Sequence, residues 1–168
     1  AFDPSGNRIV TASFDKTATV WDIASGDKIF TAKIGAQVFS AEFDHLGTHI
    51  VTAGDDHAAR VWEIASGREV ASFHHKDRVY AAAFDPTGVR VITASADQSC
   101  GVWEITTGER LLTAKHGEHV LNASLDPSGT LAVTASADQT AAVWRVATGE
   151  RLLSASHGES VNGAVFNH

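Results

Sequence analysis

Apolar and β-branched residues fall along this chain in short runs, each closed by a cluster of Gly, Asp, Pro or Thr. The run Val79-Tyr-Ala-Ala-Ala-Phe84 meets Asp85-Pro-Thr-Gly88. There Pro86 presets φ for a type I turn, and Gly88 can take the left-handed position that closes a short hairpin. Val89-Arg-Val-Ile-Thr-Ala-Ser95 follows, then a turn through Ala96-Asp97-Gln98, then Gly101-Val-Trp-Glu-Ile105. A Thr107-Gly108 turn leads into Glu109-Arg-Leu-Leu-Thr-Ala114. No stretch carries a helical apolar period, so the pattern predicts four short strands per segment and an all-β protein.

The pattern repeats. Trp21, Trp62, Trp103 and Trp144 are spaced by 41 residues, and Asp15, Asp56, Asp97 and Asp138 keep the same interval six positions earlier. Thr11, Thr52, Thr93 and Thr134 do so ten positions before each Trp, and Val38, Val79, Val120 and Val161 seventeen after. The Asp-Pro-x-Gly turn recurs at Asp3 and Asp126 and degrades to Asp44-His-Leu-Gly47 in the second copy. A fixed period of this length marks a repeat architecture in which each unit buries its faces against its neighbours. The predicted strands are apolar on both faces, with small residues at Ala12, Ala53, Ala94 and Ala135. Such sheets must be packed on both sides, as propeller blades are, with each Trp filling space between blades.

On these residues the units resemble the blades of WD-repeat β-propellers, especially the bacterial form reading Thr-Ala-Ser-x-Asp-x-Thr-Ala-x-Val-Trp. The matching stretches are Thr11-Ala-Ser-Phe-Asp-Lys-Thr-Ala-Thr-Val-Trp-Asp22 and Thr134-Ala-Ser-Ala-Asp-Gln-Thr-Ala-Ala-Val-Trp144. Only the first copy keeps Trp-Asp; the others read Trp62-Glu63, Trp103-Glu104 and Trp144-Arg145. The family's Gly-His stands reversed at His116-Gly117 and His157-Gly158, is weaker at His74-His75, and is absent at Ile34-Gly35. The resemblance implies four blades in one domain over residues 1–168, with repeats at about 3–43, 44–84, 85–125 and 126–166.

Composition narrows the function. Thirteen Lys and Arg against twenty Asp and Glu give a net charge of −7, which disfavours nucleic acid and anionic membrane as partners. A single cysteine, Cys100, excludes an internal disulfide or a CxxC site, and a small buried apolar role is expected for it. No apolar run approaches a membrane span, and a cytoplasmic setting is favoured. The chain holds no methionine, which fits a piece of a longer protein, natural or engineered.

Each unit carries Asp, His and Ser or Thr, the ingredients of a nucleophile–base–orienter set. One stabilising bracket per blade explains repeated copies better than several active sites. By resemblance, His75 joins Asp97, Thr93 and Trp103 in a hydrogen-bonded chain, and His116 joins Asp138, Thr134 and Trp144. In the second blade Asp56, Thr52 and Trp62 face Ile34 where the histidine should be, so a broken bracket is expected. His74, His75 and Asp77, or His116 with His119, are metal-ligand types without a closed-site spacing, so no metal and no cofactor is expected.

The ends complement one another. Ala1-Phe2-Asp3-Pro4 aligns with Ala83-Phe84-Asp85-Pro86, the end of a first strand, whereas 161–166 reads as a complete first strand with nothing after it. The strand at 161–166 then completes the first blade of the same chain, giving four blades, or of a second copy, giving eight. Flat two-sided packing favours the eight-bladed homodimer. Either closure brings His157 to Asp15, Thr11 and Trp21. The expected function is a non-catalytic interaction or structural scaffold that binds itself, with peptides or protein loops as further partners. Gln37, Arg78, His119 and Ser160, one before each periodic Val, are the candidate partner surface. The alternatives are a fragment of a larger propeller or sensor protein, or a hydrolase using a Ser/Thr-His-Asp set.

Overall fold

The computed structural model describes residues 1–166, and every regular element in it is a strand. The first sheet holds β1 (Arg8–Ala12), β2 (Thr17–Asp22) and β3 (Lys28–Lys33). The second holds β4 (Val38–Phe43), β5 (His49–Gly54), β6 (Ala58–Glu63) and β7 (Glu69–His74). The third holds β8 (Val79–Phe84), β9 (Arg90–Ser95), β10 (Ser99–Glu104) and β11 (Arg110–Lys115). The fourth holds β12 (Val120–Leu125), β13 (Leu131–Ser136), β14 (Thr140–Arg145) and β15 (Arg151–Ser156). All neighbours are antiparallel and consecutive, so each sheet is a meander, the blade form of a propeller.

Local chemistry explains the turns. In the third blade Gly88 has φ +72° and its N–H donates to Asp85 O at 3.0 Å. The Asp85 carboxylate accepts from the N–H groups of Val89 and Arg90, both at 2.9 Å, and so holds the chain as it enters β9. In the second blade His45 replaces the proline, yet Gly47 keeps its positive φ and the Asp44 carboxylate still caps the turn. The tight turn between second and third strands is different. Its left-handed position is held by Lys16, His57, Gln98 or Gln139, none of them glycine.

The core lies between blades. Val10, Val20 and Ala32 pack with Val38, Phe43 and Ile50 of the next sheet. Val51, Val61 and Phe73 pack with Val79, Val91 and Trp103. Ile92, Val102 and Leu112 pack with Val120, Leu125 and Trp144. Each Trp after the first is therefore wedged against the preceding blade, and each stands at a register shift between its strand and the outermost one. Arginines stitch the turns together: Arg8 Nη2 donates to Gly47 O at 2.7 Å, and Arg90 Nη1 to Gly129 O at 3.0 Å. Inner strands β4, β8 and β12 line a cavity of about 690 Å³, which Phe2 and Phe166 also border.

The two ends of this array differ from its middle. The first sheet lacks an inner strand; Ala1–Phe2 alone stands beside β1, with Val10 N–H donating to Ala1 O at 2.9 Å. Thr11 and Ala12 are exposed, while Thr52, Ala53, Thr93, Ala94, Thr134 and Ala135 are buried. At the other end residues 161–166 form no strand within the chain, although Val161 N–H donates to Ser136 O at 3.0 Å. Leu153 on β15 is 55 % exposed, whereas its counterpart Leu112 is 3 % exposed. No buried apolar cluster joins the fourth sheet to the first among the described residues. No helix is long and apolar enough to cross a membrane.

Candidate functional site

The polar clusters sit where the loop before each inner strand meets the turn between second and third strands. In the third blade Trp103 Nε1 donates to Thr93 Oγ1 at 3.0 Å, and Thr93 Oγ1 lies 2.8 Å from His75 Nε2. His75 Nδ1 lies 2.9 Å from Asp97 Oδ2. Burial lowers the His75 pKa, against the pull of Asp97, and favours the neutral ring. That ring donates from Nδ1 to the carboxylate and accepts the Thr93 hydroxyl at Nε2. Asp97 also accepts from Lys76 N–H at 3.0 Å and from the Ser99 hydroxyl at 2.6 Å. Burial by itself raises the Asp97 carboxyl, but the hydrogen bonds from Ser99, Lys76 and His75 outweigh it and bring the pKa to about 2.

The fourth blade repeats this arrangement. His116 Nδ1 lies 3.0 Å from Asp138 Oδ2, and its Nε2 lies 2.7 Å from Thr134 Oγ1. Trp144 Nε1 donates to the same hydroxyl at 2.9 Å. Burial raises Asp138, yet hydrogen bonds from Thr140, Gly117 N–H and His116 hold it well below the usual carboxylate range.

The second blade is built otherwise. Trp62 Nε1 still donates to Thr52 Oγ1 at 3.0 Å, but no imidazole completes the chain because Ile34 occupies that place. Ala58 replaces the hydroxyl that Thr17, Ser99 and Thr140 offer their aspartates. Asp56 Oδ1 is buried with no partner, and the other oxygen pairs with Arg60, which lies in turn 3.3 Å from Glu69. Here Arg60 supplies the counter-charge to Asp56 without reaching the Thr52 hydroxyl through its side chain.

The first blade has Trp21 Nε1 on Thr11 Oγ1 at 3.0 Å, and Asp15 on the hydroxyl of Thr17 at 2.6 Å. His157 is not brought to them within the chain; its N–H donates to Gln139 O at 2.8 Å and it stands exposed at the end of the fourth blade.

Gln37, Arg78, His119 and Ser160 do share one face. Carbonyls of the first three accept from Asp55, Ala96 and Ala137 N–H groups at 2.9 Å each, and Ser160 Oγ donates to Ala137 O at 3.4 Å. On the same face runs an aromatic row that residue spacing did not single out. Phe14 meets Phe39 at 5.9 Å between ring centroids, Phe39 meets Tyr80 at 5.9 Å, and Tyr80 meets His119 at 6.2 Å. Its signal was available: Phe39 and Tyr80 each follow a periodic Val. Cys100 is buried, and burial pushes its thiol up to about 12, so it packs as an apolar side chain.

Chemically these sets are closed. Thr93 and Thr134 are fully buried and already engaged by an indole and an imidazole, so neither hydroxyl is open to a substrate. The sequence profile described as "WD domain, G-beta repeat" matches residues 1–22, 27–63, 67–104 and 108–145. The chain belongs to the WD-repeat family. Its blades are WD blades, and the His–Asp–Thr–Trp chains of the third and fourth are brackets within them. No curated protein matches the chain.

Proposed function

We propose that this WD-repeat chain is a non-catalytic interaction scaffold whose first partner is a second copy of itself. The observation that carries this reading is the pair of unfinished ends. The inner edge of β1 is exposed at Thr11 and Ala12, and residues 161–166 carry a first-strand pattern with no sheet to join. Unpaired edges recruit strands. Ala1–Phe2 already hold the far end of the β1 edge, so residues 161–164 of the second copy suffice to fill the remainder. The exposed Leu152 and Leu153 flank then meets the open face of the first blade beside Trp21. Applied twice around a two-fold axis, this pairing gives eight blades, and it brings His157 of each copy to Asp15, Thr11 and Trp21 of the other.

Light scattering after size exclusion tests it. The expected mass is about 35 kDa, twice the chain mass of 17.7 kDa, and a value near the single-chain mass sinks the proposal. A second reading concerns the face that Gln37, Arg78 and His119 share with the aromatic row. Phe14 is 67 % exposed, and with the half-buried Phe39 and Tyr80 it makes a row of rings that favours extended peptides or protein loops as further partners.

A further inference from the structure

The third blade departs from its neighbours at several positions, and the departures converge on one crevice. Lys76 stands where the other copies have Gly35, Gly117 and Gly158. Gly101 stands where they have Thr19, Arg60 and Ala142. Lys76 lines a cavity of about 390 Å³ between the outer parts of the second and third blades, and Gly101 lies against Arg110 on its wall. Strand alternation puts Ser99, Gly101 and Trp103 on one face of β10, opposite Lys115, Thr113 and Arg110 of β11.

Gly101 lets Arg110 settle closer to its tryptophan than Arg151 does in the fourth blade, where Ala142 takes that place and the guanidinium lies 5.6 Å from Trp144. A Cβ at Gly101 would come within 2.5 Å of Trp103 Nε1 and 3.0 Å of Arg110 Nε. The guanidinium lies over the indole, 4.7 Å from its centroid. Its Nη2 donates to Ser99 Oγ at 3.0 Å and weakly to Cys100 O, and its Nε donates to Leu112 O at 3.3 Å. Each of these acceptors is neutral. Nη1 has no acceptor, and no carboxylate lies within 4.0 Å of the guanidinium among the described residues. Arg60, at a comparable depth in the second blade, is paired with both Asp56 and Glu69.

Lys76, Lys115 and His74 border the same cavity, and neither lysine forms an ion pair among the described residues. The one acid on its wall, Asp97, is already satisfied by His75, Ser99 and the Lys76 N–H. In a chain of net charge −7, this pocket gathers two lysines around a half-buried arginine that reaches the one carboxylate on its wall, Asp97, only through Ser99. A desolvated cation of this kind is stabilised by an anion, and a planar guanidinium with free N–H groups matches a tetrahedral oxyanion.

We propose that this crevice binds a phosphate group, with Arg110 supplying Nη1 and Lys76 and Lys115 closing over the remaining oxygens. The group is either inorganic phosphate or a phosphomonoester on another molecule. The site lies between blades joined within one chain, so it is independent of how the ends are completed.

Calorimetric titration of the whole chain with inorganic phosphate, at ionic strength held constant with chloride, provides the test. Saturable one-to-one binding is expected, with ¹⁵N-amide shifts centred on Lys76, Arg110 and Lys115. The double variant Lys76→Gly with Lys115→Ser installs the residues that the fourth blade carries at Gly117 and Ser156, so it keeps the fold. It is expected to weaken phosphate by about tenfold or more while leaving the anion-free melting temperature unchanged. A phosphoserine tripeptide titrated in parallel separates the sources. Tighter binding than inorganic phosphate assigns the site to a phosphomonoester, and equal or weaker binding assigns it to the free anion. No saturation by about 10 mM phosphate, or binding that the double variant leaves intact, overturns the proposal.

Discussion

The second and third blades share a strand order and a Trp–Thr hydrogen bond, yet they neutralise the same aspartate in opposite ways. In the third, a buried neutral imidazole, a serine hydroxyl and a backbone N–H surround Asp97. In the second, Asp56 meets one arginine and leaves its other oxygen without a partner. The first solution ties three segments together through short directional bonds. The other relies on a single cation that also serves Glu69. A saturated network loses more when one member is removed; a half-filled one has less to lose.

Truncating the aspartates should show the largest difference. Asp97→Ala leaves His75 Nδ1, the Ser99 hydroxyl and the Lys76 N–H without their acceptor, at a cost of about 3 kcal/mol in urea unfolding. Asp56→Ala removes an oxygen that was already unpaired and leaves Arg60 on Glu69, so about 1 kcal/mol is expected. Equal losses at the two sites would break the comparison.

Acid should distinguish them next. The His75 pKa lies below its ordinary 6.5, so the unfolded chain takes up that proton first and stability begins to fall as pH drops below about 6.5. Asp97 lies at about 2 against an ordinary 3.8, so its contribution is complete above the ordinary value and is lost as pH falls from there towards 2. Burial raises the Glu42 carboxyl to about 7, which works the other way between pH 7 and 4.5, so unfolding midpoints across this range should show both declines once Glu42→Gln removes it. Asp97→Ala should make the lower one shallower, since Asp138 and Asp3 still titrate well below the ordinary value, and Asp56→Ala should leave both as they are. The smallest effect is expected from repair. Ala58→Thr returns a hydroxyl to Asp56 Oδ1 and should add about 1 kcal/mol in the same unfolding experiment, more if Ile34→His accompanies it.

Much of this was written in the chain before it folded. The 41-residue interval, the Asp-x-x-Gly turns and the two-sided apolar runs determine an all-β protein of the WD-repeat family, because strand alternation and turn chemistry are local. The resemblance to WD blades also named the residues of the third-blade bracket. The distances that join His75 to a threonine eighteen residues away and an aspartate twenty-two away belong to the folded sheet.

Other features had no local signal to read. Arg60 looks like an odd charge inside a strand until the turn carries Asp56 back onto it. Gly101 looks like a weak strand residue until its missing Cβ is seen to let the Arg110 guanidinium settle close over Trp103. The aromatic row from Phe14 to His119 crosses from blade to blade, so no single repeat contains it. Sequence by itself determined the repeating unit and its turns, which depend on neighbours along the chain. Only the tertiary structure decided which charges find counter-charges and which edges stay open, because those depend on the blade packed alongside.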